Sequence, residues 1–188
     1  GIITTSDMTL SDKIRKIRAI GLDRTINNYE SFEIGSNSKM SEITAVLAIL
    51  HTNNANKIIQ ERRKIAARYD KEIKDCKNNS IIKFLIPPDT LSGYYKYFLL
   101  TDSKKVRDEL IDYAKARGID FPPPAYVYTC DQQAISKKMN CVTGDNLINS
   151  HYMKSHNVCL PMYNGLSDQE IKHVITTVNE YIESKNGN

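Results

Sequence analysis

The run Gly35-Ser36-Asn37-Ser38-Lys39-Met40-Ser41-Glu42-Ile43 sets small polar side chains directly before a patterned helix. Ile43, Val46, Leu47 and Leu50 follow the i, i+3, i+4, i+7 spacing of one helical face. Ser38 or Ser41 can cap that helix, and Glu42 falls in its first turn, where negative charge suits the helix dipole. The loop thus presents Asn37, Ser38 and free backbone N–H groups beside a helix N-terminus, a setting that attracts anions. The same pattern equally describes a capped helix with no ligand, which on local chemistry is the commoner case.

Other chemistry is sparse. Cys76, Cys130, Cys141 and Cys159 show no C-x-x-C spacing, and His51, His151, His156 and His173 complete no metal-finger pattern. Scattered cysteines in a chain of 188 residues read as thiols of a reducing compartment, hence a cytoplasmic protein. The formal charge of +4 comes from 26 basic and 22 acidic residues dispersed along the chain. That mild excess suits a phosphate-bearing small molecule, whereas a nucleic-acid partner calls for clustered Lys and Arg. No apolar run approaches the ~20 residues that span a bilayer, and no secretory leader is visible, so no membrane partner is expected.

The elements that must position the loop can be read in order. Ile2-Ile3-Thr4-Thr5 is a β-branched run that predicts a short strand. A helix is expected from Thr9-Leu10-Ser11-Asp12 to about Ile20, stopped by Gly21, followed by a loop over 22–38 with Tyr29 and Phe32 as anchors. The central helix is expected to reach Ile73, with a break in the Asn-rich stretch 51–56, because Asn competes for backbone bonds. Glu61, Arg62 and Arg63 read as a solvated face. Ile81–Ile86 and Tyr94–Leu100 predict an antiparallel pair, and Ser103 caps a helix ended by Gly118. The prolines of 121–128 point to an extended loop, residues 136–157 read as irregular, and Val158-Cys159-Leu160 as a short strand. Ser167-x-x-Glu170 is a capping box opening an amphipathic last helix through Ile171, Val174, Ile175, Val178 and Ile182.

Gly35-x-Asn37-x-Lys39-Met40-Ser41-Glu42-Ile43, followed by Glu61-Arg62-Arg63-Lys64-Ile65-Ala66-x-x-Tyr69, resembles the G-x-N-x-R-M-S-E-I … R-R-x-I-A-x-x-Y run of the DegT-like sugar-nucleotide aminotransferases. These are pyridoxal-phosphate (PLP) enzymes of fold type I. Gly1–Asp7 is similar to the family's glycine-led strand. Val158-Cys159-Leu160-Pro161-Met162 with Leu166-Ser167-x-x-Glu170-Ile171 is similar to its L-P-M/L … L-T-x-x-E-I. The matches keep their order over nearly the whole chain.

The resemblance implies a role for several residues. Asn37 stands where the family's Asn reaches across a homodimer to the cofactor phosphate of the other subunit, and a neutral amide can donate N–H there without adding charge. Lys39 replaces the family's usual Arg, keeping the charge for a phosphate or nucleotide but losing the bidentate fork. Tyr29 and Tyr126 are implied as sugar-nucleotide contacts. In the loop similar to Y-P-x-P-L-H-L-Q-P-A, the family's His is replaced by Cys130 or, one register later, by Asp131. The Schiff-base lysine is implied to lie a few residues before Gly1, so the chain reads as the C-terminal part of such an enzyme, without catalytic residues of its own.

The expected fold is α/β, with residues 1–50 a strand–helix remnant of the large PLP-binding domain. Residues 51–188 are the small α+β domain, a short antiparallel sheet covered by helices. The implied activity moves an amino group from an amino acid, glutamate, to a keto-sugar nucleotide in surface-polysaccharide or other amino-sugar biosynthesis. The rival reading is a non-catalytic binding or dimerisation module that reuses the small domain.

Overall fold

The computed structural model describes residues 1–23, 25–26, 30–77, 80–83, 86–87, 89–122 and 148–186. Tyr29, Tyr126, Cys130 and Asp131, with most of the expected proline loop, lie outside the described residues. The chain divides into two compact units, Gly1–Asn54 and Ala55–Asn188.

In the first unit, α1 spans Met8–Ile17 and opens one residue before the expected start at Thr9, with Asp7 as the N-cap that accepts the Leu10 N–H at 3.1 Å. The expected strand at Ile2–Thr5 does not form. A β-branched run becomes a strand only where a neighbour supplies the ladder, and Ile2 and Ile3 are 65% and 72% exposed. Helix α2 covers Glu42–Asn53. Ser41 is its N-cap and Glu42 its first-turn acid, while the Ser38 hydroxyl pairs with that of Ser36 at 2.6 Å. The break expected in 51–56 falls at Asn54, whose side-chain amide donates to the Leu50 carbonyl at 2.8 Å and ends the helix.

The second unit carries the principal core. Helix α3 (Ala55–Glu72) leads to a three-stranded antiparallel sheet in the order β1 (Ile81–Lys83), β2 (Tyr97–Thr101), β3 (Asn157–Leu160). Ile81 faces Thr101, Leu99 faces Val158 and Tyr97 faces Leu160, so by the period of two these side chains share one face. Against it pack Ile65 and Tyr69 of α3, Leu110 and Ala114 of α4 (Lys104–Lys115), and Ile171, Val174, Val178 and Ile182 of the last helix. Tyr69 meets Tyr97 edge-on, with ring centroids 5.1 Å apart.

Two helix starts match their sequence signals. Ser103 accepts the Val106 N–H, and Ser167 and Glu170 close a reciprocal box at 2.7 and 3.2 Å. The stretch 136–157, read as irregular, instead holds a helix, α5, at Ile148–His156. It lacks a strong apolar stripe. Long-range bonds hold it: the Tyr152 hydroxyl donates to the Thr101 carbonyl at 3.2 Å and Arg107 donates to the Lys154 carbonyl at 3.3 Å. The last helix, α6, is Asp168–Asn186. Among the described residues no helix is long and apolar enough to cross a membrane.

Candidate functional site

The loop that carries Asn37 and Lys39 is stitched to the end of α1. The Ser36 N–H donates to the Ile17 carbonyl at 2.9 Å, the Ile20 N–H to Ser36 at 3.1 Å, and the Ser38 N–H to Arg18 at 2.9 Å. These bonds make an isolated antiparallel bridge between Ala19 and Asn37, with Ala19 buried. Two glycines permit it. Gly21 has φ +80°, and a Cβ there would lie 1.9 Å from the Glu33 oxygen; one on Gly35 would lie 2.3 Å from the Ile17 oxygen. The segment beside them is held by Asp23, which pairs with Lys16 at 3.0 Å and accepts from the Thr25 hydroxyl and N–H at 2.6 and 3.0 Å. Those bonds, chiefly from Thr25, draw the Asp23 carboxyl down to about 2.

On this fixed ladder Asn37 and Lys39 are exposed. Neither side chain has a hydrogen-bond or ion-pair partner among the described residues, so an amide N–H and an ammonium are both available to a ligand. An open cleft of about 950 Å³ is lined by Arg15, Arg18, Ser38, Lys39, Ser41 and Thr44, together with residues at the start of the chain, and among the described residues no carboxylate lines it. The structure therefore brings Lys39 into the cleft and leaves Asn37 outside its lining. Arg15 and Arg18 were not singled out from the sequence. Their i, i+3 spacing places them on one side of the helix end, but without the tertiary ladder that reads only as a solvated helix face.

The expected anchor Phe32 is half-exposed, with the Lys16 ammonium 5.8 Å from its ring centre, so it is a surface contact and not a core anchor. The apolar side of α2 is also outside the core: Ile43 is 78% and Leu50 53% exposed.

In the second unit, Glu61, Arg62 and Arg63 are half-buried and engaged, which corrects their reading as a solvated face. Asn164 donates to the Ile58 carbonyl at 3.0 Å and to Glu61 at 2.8 Å, and accepts from Arg62 at 3.2 Å. Arg63 donates to the Ser92 carbonyl at 2.9 Å. The Tyr69 hydroxyl donates to the Pro161 carbonyl at 2.8 Å. The contacts of Pro161 and Asn164 clasp the turn after β3 onto α3, and that of Ser92 ties the segment before β2 to the same helix. The spacing of the polar residues on α3 carried no sign of it, because the partners lie far along the chain: Ser92 is 29 residues from Arg63 and Asn164 is 102 from Arg62.

The fold, a three-stranded sheet under helices preceded by a helix–loop–helix unit, is shared with known aminotransferases. DesV from S. venezuelae superposes with a TM-score of 0.82 at 24% identity, covering 95% of this chain and 46% of that one. The chain belongs to the DegT/DnrJ/EryC1/StrS aminotransferase family, whose profile matches residues 1–179. It is 28% identical over 184 residues to dTDP-4-amino-4,6-dideoxy-D-glucose transaminase of Shigella dysenteriae, covering 96% of this chain and 47% of that protein. It is 24% identical over 187 residues to GDP-perosamine synthase of Escherichia coli O157:H7, covering 98% and 48%. The chain spans about half the length of the curated relatives it matches.

Proposed function

We propose that the protein carrying these residues is a PLP-dependent aminotransferase that moves an amino group from glutamate to a keto-sugar nucleotide. It would work as a cytoplasmic homodimer in surface-polysaccharide or other amino-sugar biosynthesis. The observation that carries this reading is the loop at 35–39, where two close-packed glycines fix the backbone and leave the Asn37 amide and the Lys39 ammonium without partners among the described residues.

That donor set fits a phosphate: a neutral N–H, a nearby positive charge and the start of α2, capped by Ser41. PLP, when bound, supplies the electron sink that lets an amino group leave one carbon and join another. Asn37 holds the cofactor phosphate of the partner subunit by donating its side-chain N–H. Lys39 supplies charge for a phosphate, without the fixed fork an arginine would offer. Tyr29 and Tyr126, outside the described residues, complete the proposal as sugar-nucleotide contacts. The exposed apolar side of α2 is surface available for burial by polypeptide beyond these residues, at roughly 1.5–3 kcal/mol per large side chain.

The test is made on the complete gene product. Glutamate-dependent formation of 2-oxoglutarate is assayed with a panel of keto-sugar nucleotides, alongside PLP affinity for the wild type and Asn37→Ala. The expected result is amino transfer, with cofactor affinity falling roughly ten- to a hundredfold in the variant, the loss of one bond to a charged group. The melting temperature should move little. A complete product without amino transfer overturns the function, and unchanged PLP affinity in a folded Asn37→Ala variant overturns the assignment of Asn37.

A further inference from the structure

We infer that Arg18 joins Lys39 as a two-point clamp for a phosphate or diphosphate group in the cleft beside α1. The inference rests on the reading of Lys39 as a phosphate contact and adds a residue and a site to it.

Three cationic side chains line this cleft among the described residues, and they differ in what they are bound to. Arg15 is engaged by Asp12 at 3.3 Å. On the same helix Lys16 is engaged by Asp23 at 3.0 Å. Arg18 and Lys39 have no such partner among the described residues, and both are exposed. Asp12 and Asp23 border an adjoining pocket that Arg18 and Lys39 also line, but they are engaged by Arg15 and Lys16, and among the described residues no carboxylate lines the cleft itself.

Position favours the same pairing. Arg18 is the C-cap of α1, and its carbonyl accepts the Ser38 N–H at 2.9 Å, so its Cα is tied by backbone bonds to the loop that carries Lys39. Ala19, next to it, is buried and bridged to Asn37. The two cations therefore stand on a rigid ladder, which lowers the entropy lost on gripping one anion. A guanidinium offers a planar fork to two oxygens of a tetrahedral anion, and an ammonium adds a point charge. The hydroxyls of Ser41 and Thr44 also border the cleft but are bonded to each other at 2.9 Å. A volume of about 950 Å³ leaves room for more than a lone phosphate ion. Cofactor monophosphate and sugar-nucleotide diphosphate share this chemistry.

The experiment titrates the 188-residue chain with UDP, inorganic pyrophosphate and, separately, pyridoxamine phosphate, following backbone amide NMR signals. Saturable shifts are expected at Arg18, Ser38 and Lys39. Arg18→Ala and Lys39→Ala should each weaken binding at least about fivefold, a loss consistent with a charge-assisted bond in an open site. Lys13→Ala removes the same charge outside the cleft and should change it less than about twofold. Arg18→Lys, which keeps the charge, should recover part of the loss, and the amide spectrum of each variant reports that it is folded. Tighter binding of UDP and pyrophosphate assigns the site to a diphosphate, and tighter binding of pyridoxamine phosphate assigns it to the cofactor.

Absence of saturable binding up to about 10 mM, weaker than any useful site, overturns the inference. So does an equal loss in all three alanine variants, or a loss in Lys39→Ala without one in Arg18→Ala. That last result leaves the proposed function standing. An intact Arg18-dependent site in a complete gene product that transfers no amino group overturns the proposed function alone.

Discussion

Gly35 packs against the backbone of Gly21 so closely that a Cβ on Gly35 would lie 2.5 Å from the Gly21 nitrogen. The same atom would lie 2.3 Å from the Ile17 oxygen. Backbone cannot retreat as a flexible side chain can, so this contact is what lets the 36–38 segment hydrogen-bond to the end of α1.

Gly35→Ala should therefore destabilise the first unit by about 1–3 kcal/mol, the usual cost of forcing atoms into a packed site. Gly118→Ala is the matched control. Gly118 has φ +76°, but a Cβ there would meet nothing within 4 Å, so only backbone strain of about 1–2 kcal/mol applies. Amide exchange read residue by residue separates them: protection at Ile20, Ser36 and Ser38 should fall in the first variant and persist in the second. Unchanged protection in Gly35→Ala would show that the ladder does not depend on the close approach.

Asn164 saturates its amide with the Ile58 carbonyl, Glu61 and Arg62. Asn164→Ala leaves those half-buried groups unpaired and should cost about 1–3 kcal/mol in urea denaturation. Arg62→Ala in the Asn164→Ala background should cost less than in the wild type, because the shared bond is already gone. Strict additivity of the two changes would contradict the clasp.

The Asp23 carboxyl, held by Thr25 and Lys16, is drawn from 3.8 to about 2. A carboxyl depressed on folding contributes stability that is complete above its unfolded value. That contribution is lost as pH falls from about 4 towards 2. Carbon-detected NMR of the side-chain carboxyl should give a midpoint near 2 in the wild type, moving upward in Thr25→Val. A midpoint at the ordinary value in the wild type would show that Thr25 and Lys16 do not hold it.

Three tyrosines report the core of the second unit. Burial raises the phenols of Tyr69 and Tyr97, with the bond from Tyr97 to Asp70 adding to the latter, and pushes Tyr181 up to about 12. A phenol whose folded value is raised adds stability that is complete below its unfolded value near 10. That stability is lost as pH rises from 10 through 12. In an alkaline titration followed at the tyrosinate absorbance, the exposed members of the 11 tyrosines should ionise first. These three should lag and titrate together with the loss of far-ultraviolet dichroism. Complete ionisation near pH 10 with dichroism intact would be the opposite result.

Much of the second unit was legible because its signals are local. The Ser103 and Ser167–Glu170 caps act within one helical turn, and the apolar period of Ile171–Ile182 marks the buried side of α6 whatever it packs against. Ile81–Lys83 and Tyr97–Thr101 pair as their composition predicts. The motif at 35–43 also marked the loop and the helix start correctly, down to Glu42 in the first turn.

What the residues by themselves determined was thus the set of elements whose bonds close over three or four positions, and the family to which their order belongs. Distance along the chain decided the rest. Ile2–Thr5 has strand composition but no ladder, Ile148–His156 is helical through bonds to Thr101 and Arg107, and Arg62 is bound by a turn a hundred residues on. Arg18 and Lys39 share one cleft only because Gly21 and Gly35 let two backbones touch. Such a contact is specified by the geometry of both partners together, and neither glycine alone carries any local sign of it.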